Sequence, residues 1–464
     1  MNMGKRLDDS RDFYKRVLLI ALPIMLQNLI TNLVSMLDNV MVGQLDTAQI
    51  GAVTIVNNNL LNVMNICFFG GAAGAGIFTA QYMGSQDMEG IRYTVRFKLM
   101  ICFGLFLLGA GICYFGADGL VGIYLQGDGD PLVREQTLFY GRQYMHIMLI
   151  GMLPYAINIA YAGTLRETGH PMVPMISGMI AMGVNLVGNY ILIFGHFGAP
   201  QLGVAGAAVA TVISRYVELA VSALWMHLNP KKNPFVKGLF KSMYIPGKLL
   251  KDIIIKGMPL LVNEAAYTIG MASLNQCYSI CGLDVVPALS ISVTIYNLLA
   301  AVFRSLGNAT GIVIGRMLGA QESREEIKSK CNKMLVLGIC TGVISGAMTA
   351  ALSGVFPMLF KTTDSVRHLA TWLIVIGACN MPMQAYIFPV YFVLRAGGKT
   401  GITFIFDSGA IWALMLPIAF VLSRFTSLHV LLIYGICISM DLVKCAIGHY
   451  YIRRGDWIQN LTAK

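Results

Sequence analysis

Two stretches decide the reading: GIFTAQYMGSQ at Gly76–Gln86 and GIVIGRMLGAQ at Gly311–Gln321. They match at an offset of 235 residues (311 − 76), each a run of small and apolar residues that ends in a polar break. Working outward, LPIMLQN at Leu22–Asn28 resembles MPLLVNE at Met258–Glu264, offset by 236 (258 − 22). LRETG from Leu165 resembles LRAGG from Leu394, offset by 229 (394 − 165). Chance apolar similarity seldom keeps several matches in one order. The chain therefore reads as two copies of one unit.

Composition says what kind of unit it is. Of 464 residues, 56% are apolar and only 12% charged, and the mean hydropathy is +0.66. A soluble domain carries roughly twice that charged fraction, because a globule must still cover its surface. A membrane span takes about 20 apolar residues. Spans are expected near 16–44, 50–83, 92–117, 133–164, 172–195, 204–228, 249–280, 286–318, 331–356, 366–394, 401–424 and 428–452. The expectation is an all-α integral membrane protein of twelve transmembrane helices in two pseudo-symmetric six-helix bundles. The longest polar interval, NPKKNPFVKGLFKSMYIPGK, falls at the midpoint. It gives an N-terminal lobe at 1–228, a basic linker at 229–248 and a C-terminal lobe at 249–464. The polar start, Met1–Arg16, lacks a small-residue cleavage site and does not read as a cleaved signal.

The formal charge of +11 is distributed in a way that argues against a nucleic-acid partner. Basic residues gather in alternate loops: Lys5, Arg6, Arg11, Lys15 and Arg16; Arg92, Arg96 and Lys98; Lys231, Lys232, Lys237, Lys241, Lys248 and Lys251; Arg324, Lys328, Lys330 and Lys333; Arg453 and Arg454. The intervening loops, around Asp46, Asp128–Asp130, Asp284 and Asp364, are poor in them. This is the positive-inside pattern. It sets both termini and the central linker on the cytoplasmic side of a cell membrane and turns the basic surface toward lipid headgroups. With both copies starting on one side, the repeat is parallel, its axis along the membrane normal, which suits alternating access.

Ionisable groups inside spans cost at least about 2.5–3.5 kcal/mol on insertion scales and mark function. Asp38, in LVSMLDNVMVG, is a cation or proton site, or else an interfacial hydrogen-bond partner. Glu264 follows Pro259 by about one turn with Asn263 beside it, and Asp407 lies in FIFDSGAIW. Each is either a coupling acid or half of a structural pair. Asn185 and Asn189 are four apart and share a helix face. Their amide oxygens suit a hard cation such as sodium, or the amides simply bond between helices. Thr211, in GVAGAAVAT, belongs to the same question, with small-residue packing as its plainer reading. The successive amides of Asn57, Asn58 and Asn59 cannot all face lipid cheaply, so at least one is expected to face a wet cleft. Arg304, in VFRSLGNAT, is expected to neutralise Glu264 or Asp407. The ten cysteines form no CxxC pair, the 28 methionines suit packing or a promiscuous cleft, and His146 is the histidine most clearly within a span. There is no G-x-x-x-x-G-K-[ST] phosphate loop, so no sign of ATP as driver.

With these residues in place, the chain resembles the multidrug and toxic compound extrusion (MATE) family over essentially its whole length. The likeness rests on the LP start with Asp38 near MVGQL, the stretch from Ile193 to Thr211, GMPLLVNE, GRMLGAQ and LRAGGKT. The resemblance implies a V of two six-helix lobes around a central cleft. It implies an antiporter, not an enzyme, that exports organic cationic or amphipathic drugs against sodium ions or protons. No cofactor is implied beyond the coupling ion, and a monomer suffices. It makes Asp38 the coupling carboxylate of the first lobe, completed by Asn185, Asn189 and Thr211, with a sodium ion conceivable at Asp38 or at Glu264. Asn189 departs from the family, where an acid is common; one carboxylate would bind a monovalent cation more weakly or favour protons. In the second lobe Glu264 matches a coupling glutamate of one branch. Gln384 stands where that branch has an aspartate, and Asp407 is our own candidate for its replacement. Asn57, Asn58, Asn59 and Asn263 are the candidates for the substrate cleft.

Other classes fit less well. A flippase for a lipid-linked oligosaccharide or peptidoglycan precursor needs several cations for pyrophosphate, and the spans offer only Arg142, Arg215 and Arg304. A membrane-embedded enzyme needs a nucleophile or metal constellation, and a passive channel leaves the doubled acids unexplained.

Overall fold

The computed structural model describes residues 3–125 and 131–463, with side chains from Phe13 onward apart from those of 16, 34–36, 39, 40 and 47. The side chains of Lys5, Arg6, Arg11 and Arg16, and the loop Asp128–Asp130, lie outside the described residues. Helices dominate, and no strand occurs among the described residues. In lipid only a helix, or a closed barrel, satisfies its own backbone.

The membrane helices run in chain order as α1 Met3–Val42, α2 Ala48–Gly84, α3 Met88–Phe115, α4 Pro131–Glu167, α5 Met172–Phe194 and α6 Val204–Leu228. The second half follows as α7 Gly247–Ser279, α8 Val285–Gly319, α9 Arg324–Leu352, α10 Asp364–Ala396, α11 Thr400–Phe425 and α12 Val430–Arg454. Among the described residues eleven helices are long and apolar enough to cross a membrane. The twelfth, α7, has 33 residues but misses on composition. Lys248, Lys251, Asp252 and Lys256 dilute its first turns and Glu264 its middle.

By contacts the chain forms two compact units. One holds Met1–Met25, Ala80–Gln86 and Met258–Lys464; the other holds Leu26–Thr79 and Asp87–Gly257. The basic linker at 229–248 thus belongs to the second unit. In that unit α5 packs on α6 and both α3 and α6 pack on α4. Its core gathers Phe68, Met145, Met148, Met152 and Ala208. In the other unit α10 packs against α8, α9 and α12. Phe13, Val17 and Ala21 of α1 join its core with Met334, Val390 and Trp457.

The repeated motif that opened the sequence is a packing device. A Cβ on Gly84 would meet the Arg316 carbonyl oxygen at 2.0 Å, and one on Gly319 would meet that of Gln81 at 1.8 Å. Only glycine allows the ends of α2 and α8 to approach so closely, as small residues do between membrane helices. Each motif then ends alike, for Gln86 has φ 58 and Gln321 φ 56. The next residues cap the following helix in both copies. The Asp87 carboxylate accepts from the backbone N–H of Glu89 and Gly90, and Ser323 Oγ accepts from that of Glu326.

Candidate functional site

Asp38 sits on α1, half-buried. Asn189 Nδ2 donates to Asp38 Oδ1 at 2.7 Å and to Asn185 Oδ1 at 3.3 Å. Asn185 Nδ2 donates to the Thr211 hydroxyl at 3.1 Å, which itself donates to the Ala207 carbonyl at 2.9 Å. All four residues expected to form one site are therefore linked across three helices. The i, i+4 spacing puts the two amides on one face of α5. Small residues bring α6 up to that face: a Cβ on Gly188 would meet the Ala210 Cβ at 2.9 Å, and one on Gly206 the Leu192 carbonyl oxygen at 2.4 Å. Packing and site are the same feature here.

The Asn185 amide can stand either way. Turned over, its nitrogen donates to Asp38 Oδ1 at 2.9 Å and Oδ2 at 3.2 Å, and its oxygen accepts from Thr211 Oγ1 at 3.1 Å. In the first orientation the Asn185 oxygen faces both Asp38 oxygens, an arrangement that turning the amide over, a cation or a proton relieves. Asn185 and Asn189 are 4% and 2% exposed, and Asn189 Oδ1 has no donor. A buried amide oxygen left without a donor beside a carboxylate is the kind of group a monovalent cation satisfies. No group of three or more His, Cys, Asp or Glu occurs among the described residues to hold a heavier metal.

The C-terminal acids form a different network. Asn263 Nδ2 donates to Asp407 Oδ2 at 3.0 Å, and Asn263 Oδ1 accepts from Ser408 Oγ at 2.6 Å. Lys444 of α12 lies 3.9 Å from Asp407 Oδ1 and 3.6 Å from Asp441 Oδ1. Asp441 Oδ2 in turn accepts from Asn380 Nδ2 at 2.7 Å and Gln384 Nε2 at 2.6 Å. Gln384 and Asp407 thus join one network through Asp441 and Lys444. Glu264 does not: it is half-buried, makes no ion pair among the described residues, and has Arg395 and Asp407 as charged neighbours.

Two expectations change, those for Arg304 and Asn263. Arg304 pairs with neither acid; its guanidinium lies 5.9 Å from the Tyr296 ring and 5.6 Å from that of Phe388. Lys444 takes the neutralising place instead, because it stands one helical turn from Asp441. Asn263 is 1% exposed and belongs to the Asp407 network, not to a cleft. Of Asn57, Asn58 and Asn59 only Asn58 is exposed, and all three lie in a π-helical stretch, Thr54–Leu61. A second π-helical run, Ile405–Gly409 and Ile411–Met415, carries Asp407. Such wide turns are rare and gather at functional sites.

Missing from the sequence expectation are Asp441, Lys444, Asn380 and Ser408, and a second polar group in the other unit. The i, i+3 acid and lysine inside an apolar span were the available signal for the first two. In the other unit Lys98, 1% exposed, pairs with Glu167 and bonds to Thr164 at 3.3 Å. Arg96 and Lys98, which the charge pattern counts among loop cations, are buried. Arg166 Nη2 donates to Gln27 Oε1 at 3.1 Å, and Glu218 bonds to Asn158 with Arg166 and Arg215 as charged neighbours. The three arginines a pyrophosphate cleft would need are separately engaged. Arg142 lies 3.7 Å from Asp118, Arg215 lies over Tyr155 at 4.7 Å, and Arg304 lies on aromatic rings.

Comparison with known proteins places this arrangement. The MatE family profile matches residues 23–191 and 259–421, one copy in each half. A probable multidrug resistance protein, YoeA of Bacillus subtilis, is 26% identical over 428 residues, covering 90% of this chain and 89% of that protein. The probable multidrug resistance protein NorM of Thermotoga maritima is 21% identical over 452 residues, covering 97% and 94%. Among solved structures, an outward-facing multidrug-resistance MATE transporter of the MOP superfamily matches with a TM-score of 0.85 over 95% of both chains at 18% identity. A MATE protein in complex with MaL6 matches with a TM-score of 0.84, also at 18% identity. With both halves matched by its profile, the chain belongs to the MatE family, multi-pass membrane proteins that are secondary transporters and not enzymes, driven by an ion gradient without a cofactor.

Proposed function

We propose that this protein exports organic cationic or amphipathic compounds in exchange for a monovalent cation, sodium or proton, bound at Asp38. The observation that carries the reading is the linked set Asp38, Asn189, Asn185 and Thr211, with the unsatisfied oxygen of Asn189 beside the carboxylate. A cation entering there would take the Asp38 oxygens, Asn189 Oδ1 and, with its amide oxygen turned inward, Asn185. When it leaves, Asn185 turns its nitrogen to the carboxylate. The site thereby has two hydrogen-bonded states, one for each occupancy. An ion drives transport only by binding the two conformations of a transporter with different affinity. The names of the relatives support a drug as substrate.

The function is assigned to two repeat lobes, 1–228 and 249–464, joined by 229–248, with both termini cytoplasmic in the cell membrane and the monomer as the working unit. The Asp407–Lys444–Asp441 network is read as the structural counterpart in the second half, with Glu264 as its free acid.

The test is efflux of a fluorescent organic cation from liposomes of purified protein under a sodium gradient and a pH gradient, each imposed alone. Drive by one of the two, lost in Asp38→Asn, is expected. Movement under neither gradient would sink the antiport reading.

A further inference from the structure

The unit that contains Asp38 also carries a cavity of about 390 Å³, lined by Glu89, Arg92, Arg96, Lys237, Gly238 and Lys241. Four cations and one carboxylate face it, a formal charge of +3 (4 − 1). It lies between the first turns of α3, which begins at Met88, and the linker that joins α6 to α7. Basic residues at the ends of membrane helices are expected at the headgroup layer of a bilayer.

The four cations divide by role. Arg96 is 6% exposed, and its guanidinium donates to the carbonyls of Leu239 at 2.8 Å, Tyr244 at 3.1 Å and Gly238 at 2.9 Å. Arg92 Nε donates to the Phe235 carbonyl at 3.1 Å. These bonds pin the linker over α3. Lys237 and Lys241 are exposed and make no ion pair among the described residues, so their ammonium groups are available. Glu89 is held at the wall by the Tyr93 hydroxyl, which donates to it at 2.5 Å. Like charges gathered around one cavity repel, and an anion relieves them.

The linker residues beside it are apolar. Phe240, Met243 and Tyr244 are 58%, 45% and 65% exposed, and Phe240 stacks on His227 at 5.8 Å. A soluble phosphate has no use for such apolar neighbours. A molecule with an anionic end and apolar tails uses both parts, as lipids do with aromatic residues at membrane interfaces.

We propose that this cavity binds the phosphodiester headgroup of an anionic glycerophospholipid, with Lys237, Lys241 and Arg92 on the phosphate and the acyl chains along Phe240 and Met243. Glu89 repels the second charge of a phosphomonoester and can accept from a headgroup hydroxyl, so phosphatidylglycerol is the matching probe.

The test uses the whole 464-residue chain in detergent. Its unfolding midpoint is measured with short-chain phosphatidylglycerol, short-chain phosphatidylcholine or inorganic phosphate, for wild type and for the double variant Lys237→Gln, Lys241→Gln. Phosphatidylglycerol should raise the wild-type midpoint where the other two do not. The double variant should keep the ligand-free midpoint and bind phosphatidylglycerol about thirtyfold more weakly, for two lysines lost at a membrane surface. An equal response to phosphatidylcholine, or an unchanged response in the variant, would overturn the proposal. A response to inorganic phosphate of the same size would give the cavity to a free anion instead of a lipid. A lower ligand-free midpoint in the variant would make the lysines structural and overturn it as well.

Discussion

At the scale of residues, the site turns on amides standing next to one carboxylate. A hydrogen bond to a charged group is worth about 1.5–3 kcal/mol. Asn189→Ala removes both the donor to Asp38 at 2.7 Å and the free oxygen. It should weaken affinity for the coupling ion by about tenfold to a hundredfold, read as the ion concentration that half-saturates efflux. Asn189→Asp supplies a second acid, and should tighten a sodium requirement; an unchanged ion dependence in both variants would remove Asn189 from the site. The buried pair Asp441–Lys444 makes a separate prediction. Removing one partner of such a pair costs about 3–5 kcal/mol, because the other charge stays buried. Lys444→Met should therefore lower thermal stability strongly, and adding Asp441→Asn should restore part of it. Equal stability of single and double variants would mean that the charges do not interact.

Asp38 stood out because a carboxylate in an apolar run has few reasons to be there; its grouping with Asn185, Asn189 and Thr211 came from the family resemblance, and the structure links the four by hydrogen bonds. Which orientation Asn185 takes was not legible, since that depends on a neighbour 147 residues away (185 − 38). Arg304 was misplaced for the same reason. Sequence shows that a buried cation needs something, yet not that aromatic faces at 5.6 and 5.9 Å supply it. Lys444 shows the reverse error, an informative i, i+3 pair hidden among the last polar turns of the chain.

At the scale of elements, hydropathy located the spans, and the repeat motif named the tightest crossing without revealing it as one. Gly84 and Gly319 stand at equivalent places in the two copies, each against the other helix's backbone. Overpacking a close contact costs about 1–3 kcal/mol, more when backbone is in the way. Gly319→Ala should destabilise by at least that much in thermal unfolding of the detergent-solubilised protein; wild-type stability would show that the crossing yields. Gln321, two residues on, holds φ 56, a conformation that costs a residue with a Cβ about 1–2 kcal/mol. Gln321→Gly should therefore stabilise, by up to about 1 kcal/mol once glycine's own entropy is counted. The π-helical turns around Asn57–Asn59 and Asp407 had no sequence signal beyond their crowded polar residues. The extra residue per turn is a matter of packing, which local pattern does not report.

At the scale of the whole molecule, a duplicated six-helix plan carries unequal polar centres. One copy holds a single carboxylate, Asp38, with two amides. The other holds Asp407 and Asp441 around Lys444, with Glu264 outside the network. The copies share their turns and crossings yet not their charges, and the coupling site we propose lies in the first. Antiport of this kind is a reciprocal coupling of two ligands: what the ion does to substrate affinity, the substrate does to ion affinity. The most direct measurement is release of bound sodium or of protons from the purified protein on addition of a transported organic cation, in wild type and in Asp38→Asn. The account predicts release of one of the two ions from the wild type and none from Asp38→Asn, with the variant still folded. Undiminished ion release from Asp38→Asn would contradict it and move the coupling site to the Glu264 half.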